Sequence, residues 1–167
     1  TDSKGETQET SYSFNVGDAG IMLVLNPKDK EMDRDSASVE ILAYTMNSKK
    51  IGADGTYIVY SLSDLPLKKD LYGDETYQVG AKKLSGRFTT EKPITAYSFR
   101  DLPSGRYRFE AKVSDKNGKD VTSHCDFILY SKDDKRPPVF THARVINLHT
   151  QCLPGENATF IFGTSDE

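Results

Sequence analysis

Glu110, His124 and Asp126 are the residues of this chain whose types and spacing come nearest to hydrolytic chemistry. A carboxylate beside an imidazole can hold the ring in the tautomer that accepts a proton, which is how many general bases are built. Hydrolysis also needs a nucleophile and donors aimed at the developing oxyanion. No such set converges with these three in the sequence. Cross-strand charge pairing on a solvated sheet face accounts for them, at about 0.2–1 kcal/mol per pair. The expectation is a chain with no catalytic residues, hence not an enzyme.

His142, His149 and Cys152 raise the question of zinc, since His149-x-x-Cys152 has ligand-like spacing. Ordinary residues scattered over two strands and a turn are the better explanation, and no metal or cofactor is assigned. Cys125 and Cys152 are too few for a disulfide framework. Cys125 falls on an inferred core face, where a free thiol behaves as a small hydrophobe. A Cys125–Cys152 disulfide is the one pairing available in an oxidising compartment, and geometry decides such pairs. With no Trp in the chain, a sugar-binding face would rest on tyrosines such as Tyr57, Tyr72 and Tyr77. Tyrosines at sandwich rims and core edges are the favoured reading. Asn157-Ala158-Thr159 is a glycosylation sequon, relevant only in a eukaryotic secretory setting. No phosphate-binding glycine loop and no Gly-x-Ser-x-Gly elbow occurs.

The stretch that positions the first trio is Ser104 to Tyr130. Tyr107, Phe109, Ala111 and Val113 alternate with Arg106, Arg108, Glu110 and Lys112, a period of two that buries one sheet face and wets the other. Cys125, Phe127 and Leu129 share one face of the return strand. A two-residue Asn117-Gly118 turn would set Phe109 opposite Asp126, a carboxylate on the apolar face. A three-residue loop, Lys116-Asn117-Gly118, closes a type I turn with glycine in the left-handed region. It sets Val113 opposite Val121, Phe109 opposite Cys125 and Tyr107 opposite Phe127. On the wet face Arg108 meets Asp126 and Glu110 meets His124. A slip of one residue flips every side chain, so the three-residue loop is the expected register.

Residues 1–10 are polar and read as a disordered tail. Strands are expected at Tyr12–Val16, at Ile21–Leu25 (an apolar run buried on both faces or at a sheet centre), at Ser38–Met46 and at Gly55–Leu62, with Ile58, Tyr60 and Leu62 on one face. Leu65–Gly73, with Pro66 and two lysines, reads as a loop whose Leu65, Leu67 and Leu71 are expected to tuck against a sandwich edge. Short strands are expected at 76–79, 86–89 and 94–99. Turn signals every 10 to 15 residues and no helical periodicity mark an all-β sandwich. Charge followed by Pro137-Pro138 marks a boundary, since proline donates no ladder hydrogen bond and stiffens a linker. The organisation read here is a tail over 1–10, a sandwich over 11–136, and over 137–167 a linker and the first two strands of a following, truncated β domain. Val139, Thr141, Ala143 and Val145 would share a face of the first of these strands, Val139–Leu148.

The chain has 167 residues, 36% of them hydrophobic and 28% charged, with a net charge of −3. That balance gives no electrostatic case for nucleic acid. No apolar run approaches the roughly 20 residues of a membrane helix, so this segment is not expected to insert in a membrane. The chain opens on Thr1 rather than Met and reads as an excised segment of a longer protein, so a missing signal sequence says nothing of compartment.

Gly105-Arg106-Tyr107-Arg108-Phe109-Glu110-Ala111 followed by Asp115-Lys116-Asn117-Gly118 is similar to the last hairpin of macroglobulin-type β-sandwich domains. FILYSKDDKRPPV, then Pro154-Gly155-Glu156 leading into FIFGTSD, resembles a junction between two such domains in large bacterial alpha-2-macroglobulin-like envelope proteins. The resemblance covers roughly residues 14–167. It implies an immunoglobulin-like, macroglobulin-type antiparallel sandwich. It also implies a non-enzymatic scaffold and interaction module in an extracytoplasmic protein of the periplasm or bacterial cell envelope, with neighbouring domains and proteases as partners. That family's reactive feature is an internal thioester from a Cys-Gly-Glu-Gln motif. Here Cys152-Leu153-Pro154-Gly155-Glu156 lacks the glutamine and carries Leu and Pro between, so no thioester residue is carried over. The alternative is a carbohydrate-binding or adhesion module of immunoglobulin type.

Overall fold

The computed structural model describes residues 20–147, 157 and 159–165. Its elements in chain order are β1 (Ile21–Pro27), β2 (Glu31–Asp33), β3 (Val39–Thr45), β4 (Lys50–Ile51), β5 (Asp54–Lys69), β6 (Glu75–Thr89), the single helical turn α1 (Ala96–Phe99), β7 (Gly105–Ser114), β8 (Asp120–Tyr130), β9 (Arg144–Asn147) and β10 (Phe160–Gly163). One sheet runs β2-β8-β7-β5-β6 and a second β1-β3-β4, while β9 and β10 pair with each other. The inner faces of the first two meet in one core. Leu23, Leu25, Val39, Ile41 and Ala43 come from the smaller sheet; Tyr57, Val59, Phe109, Phe127 and Leu129 are among those from the larger. The chain is all-β and sandwich-like, as its turn spacing implied.

The Ser104–Tyr130 hairpin has the three-residue register. Val113 pairs with Val121, Phe109 with Cys125, Tyr107 with Phe127, Arg108 with Asp126 and Glu110 with His124. Gly118 holds φ 76°, the left-handed value that the loop requires. Asp115 Oδ1 accepts hydrogen bonds from the Asn117 and Lys119 amides, both at 2.8 Å. These bonds, led by that from Lys119, hold the Asp115 carboxyl below its ordinary range. Its folded pKa lies under its unfolded one, so its stabilisation is present at neutral pH and lost as pH falls through the lowered value. Asp115→Asn is expected to lower stability at neutral pH and to flatten the loss on acidification. Urea midpoints measured across the acid range check this, and parallel curves for the two proteins would contradict it.

Several expectations are corrected. The larger sheet is mixed rather than antiparallel, because β2 pairs parallel with β8. Residues 28–30 between β1 and β2 carry bends rather than a hairpin turn, so the chain changes sheets there. β1 is not buried on both faces: it is an edge strand, with Leu23 and Leu25 buried and its other residues half-buried. In β5 the core face carries Tyr57 and Val59, not Ile58 and Tyr60; Leu62 is buried beyond a register shift.

Leu65–Gly73 is not a loop through most of its length, and the two short strands expected at 76–79 and 86–89 are parts of one. β5 and β6 form a continuous hairpin that outruns β7, which pairs only with Thr56–Ser61. Register shifts between Val59 and Lys68 absorb Pro66, which proline's missing N–H confines to edges and bulges. Ile94–Phe99 is no strand either. Ile94 makes one bridge to Val39 and the chain then turns helically. That turn lets Ile94 and Phe99 both enter the core, which a straight strand would forbid to positions five apart. The strand expected over Val139–Leu148 is confined to Arg144–Asn147 within the described residues.

Candidate functional site

The predicted trio lies on the outer face of the larger sheet, where the register sets Glu110 opposite His124. Asp126 is engaged elsewhere. Arg108 donates to it through Nε at 2.7 Å and Nη2 at 2.8 Å, a fork onto both carboxylate oxygens. That bond raises the Arg108 pKa further and fixes both side chains as a cross-strand clamp. Neither cleft described below is lined by Glu110, His124 or Asp126. The arrangement supplies one charge pair, Arg108 with Asp126, and sets Glu110 opposite His124 in the register.

Among the described residues no three His, Cys, Asp or Glu side chains come close enough to hold a metal ion. His142 packs edge-on against Phe140, with ring centroids 5.3 Å apart. His149 and Cys152 lie outside the described residues. Cys125 is a half-buried thiol packed against the core, and burial pushes its pKa up, with the Asp126 charge adding to the effect. A thiol so protonated is a poor nucleophile. Its proposed disulfide partner, Cys152, falls outside the described residues, as does Ala158 of the sequon.

The three tyrosines do not share a face. Tyr57 is buried and stacks on Phe109, centroids 5.0 Å apart. Tyr77 is buried under the Arg106 guanidinium, which lies 3.9 Å from its ring centroid. Only Tyr72 is open to solvent. Tyr77 donates its hydroxyl to Glu75 Oε2 at 2.5 Å. Burial, then this bond, push the Tyr77 pKa up to about 12, and the bond lowers that of Glu75.

What the residue types alone concealed is the arm. Beyond Ser61 the β5–β6 ribbon runs on past its pairing with β7, its register shifted by bulges, and exposes Leu65, Leu67, Leu71 and Tyr72. Leu71 and Tyr72 at the tip are 101% and 94% exposed. The tip is the same turn as the one at Asp115. Asp70 Oδ1 accepts from the Tyr72 and Asp74 amides at 2.8 Å each, and Gly73 sits at φ 91°. The shared Asp-x-x-Gly pattern, Asp70–Gly73 and Asp115–Gly118, is the sequence signal that locates this second hairpin.

After Pro138 the chain returns to the outer face of the larger sheet. Arg144 brings Nε to 2.9 Å and Nη2 to 2.7 Å from one oxygen of Glu31, the second contact an ion pair rather than an aligned hydrogen bond. Its guanidinium also lies over the Tyr130 ring at 4.8 Å. Val139 is buried. A cleft of about 390 Å³ opens between residues 139–145 and a wall of Glu31, Arg106 and Ile128. Another, of about 300 Å³, lies between Asp64 on the arm and residues 136–140. β9 and β10 leave Val145, Phe160 and Phe162 exposed.

Compared with known proteins, the chain matches no family model and no curated protein. Among the described residues no helix is long and apolar enough to cross a membrane.

Proposed function

We propose that the chain is a non-enzymatic scaffold and interaction module of a large extracytoplasmic alpha-2-macroglobulin-like protein, tied to protease binding or inhibition. The observation that carries this reading is the two-stranded β9–β10 sheet, whose Val145, Phe160 and Phe162 stand exposed. Two strands are not independently stable in water, and an apolar face of this kind needs a cover. In a chain of serial sandwich domains the neighbouring domain supplies it. The exposed arm tip adds a second contact surface of the sort an assembly uses.

The finer fold reading, immunoglobulin-like and macroglobulin-type, has its own support. Tyr107 donates its hydroxyl to the Pro103 carbonyl at 2.7 Å, four residues upstream at the start of β7. Such a tyrosine corner marks immunoglobulin-like sandwiches. The split of the first strand between two sheets, β1 on β3 and β2 on β8, fits the same architecture.

The reading predicts no turnover. Ester, peptide and glycoside substrates incubated with the chain are expected to react at the blank rate. A rate above blank that disappears in Glu110→Gln or His124→Ala would overturn it.

A further inference from the structure

We infer that the cleft between residues 139–145 and the outer face of the larger sheet binds a carboxylate carried on an apolar body, with Arg106 as the group that receives the carboxylate. Two guanidiniums line this cleft, and they differ in what they already hold. Arg144 is committed to Glu31 and stacked on Tyr130. Arg106 rests on the Tyr77 ring, and its buried Nε has no hydrogen-bond partner among the described residues. A buried charged donor without an acceptor is unfavourable, and native structures rarely leave one unmet without a role.

The nearby carboxylates do not meet this need. Glu31 is held by Arg144, and Glu75 accepts from Tyr77 and pairs with Lys69. The planar edge of a guanidinium matches a carboxylate bidentately. Glu75 acts on the Arg106 charge through space without accepting from its Nε, so the site suits a singly charged acid better than a phosphate dianion, which Glu31 would repel. Ile128, Val139, Phe140, Ala143 and Val145 share the remaining wall with Thr141, so an apolar group on the acid finds apolar side chains to cover. About 390 Å³ is at the small end of ligand sites, room for one ring or one side chain. A free aryl acid and the C-terminal residue of a peptide share this chemistry. Because water does not reach the Arg106 Nε in this conformation, binding includes a small swing of the side chain that turns the Nε edge into the cleft.

The test is a titration of the nitrogen-15-labelled chain, following the Arg106 Nε–H resonance. The probes are phenylacetate, phenylacetamide, and a short peptide ending in Phe as free acid or amide. At least one acid is expected to shift that resonance saturably while its amide does not. A response to phenylacetate assigns the site to small acids, and a response to the peptide acid alone assigns it to chain termini. Arg106→Gln is expected to weaken binding by about tenfold or more, and Arg106→Lys, a point charge without the fork, by less. Should Arg106→Gln not fold, Phe140→Ala, at a half-exposed position, is expected to weaken the same acid with the fold intact. The inference fails if neither acid shifts the resonance, if acid and amide bind alike, or if a folded Arg106→Gln or Phe140→Ala binds as the parent does.

Discussion

Phe109→Ala is expected to destabilise the protein by about 3–5 kcal/mol. Phe109 is fully buried in β7, the third strand of five in the larger sheet, paired with Val59 on one side and Cys125 on the other. Its ring stacks on Tyr57 and meets Phe99 edge-on at 6.4 Å. Phe99 in turn meets Phe127 at 5.7 Å. Strands on both sides fix the backbone, so the hole left by the ring cannot collapse. For a domain of this size each kcal/mol moves the melting temperature by about 2–4 °C, and calorimetry will resolve the difference. Leu71→Ala, at the exposed arm tip, is expected to stay within about 0.5 kcal/mol of the parent. A Phe109→Ala loss below about 1 kcal/mol would mean that the core is not organised around this ring.

Gly55→Val should be of comparable severity, for the opposite reason. A Cβ at Gly55 would collide with the Lys112 carbonyl oxygen and lie 2.8 Å from the Phe88 ring. A flexible ring can yield, but the Lys112 oxygen belongs to the backbone of the next strand, and β5 is held by β6 at Gly55 and by β7 from Thr56 onward. Overpacking against such a frame costs about 1–3 kcal/mol, and a branched side chain should reach the top of that range. Gly52 has nothing within 4 Å of a built Cβ, so Gly52→Ala is the matched control and should leave the urea midpoint nearly unchanged. Equal midpoints for Gly55→Val and the parent would show that β5 does not pass so close to β7.

The Ser104–Tyr130 hairpin was legible because two faces had to be satisfied at once, and only one register satisfied both. With it came the Arg108–Asp126 clamp, the outer-face chemistry that residue types and register could locate. The arm was not legible because Pro66 and Lys68-Lys69 look like loop residues, while bulges let the ladder continue past them. The repeated Asp-x-x-Gly turn was the missed clue. Ile94–Phe99 has the alternation of a strand, yet packing both Ile94 and Phe99 into the core overrides it. The three-residue β2 is too short for any period to show. Arg106 on Tyr77 depends on the shifted register of the arm, and Arg144 on Glu31 joins residues 113 positions apart. Neither leaves a local mark.

Amide hydrogen exchange over residues 144–147 and 160–163, compared between this chain and the intact gene product, tests the scaffold reading most directly. In the chain alone these amides are expected to exchange fast, since among the described residues β9 and β10 pair only with each other. If, as proposed, a neighbouring domain of a longer parent protein covers Val145, Phe160 and Phe162, exchange there should slow by about tenfold or more in that protein while the 105–130 hairpin stays as it was. Identical exchange of β9 and β10 in both proteins would contradict the proposal that this face docks against a neighbour.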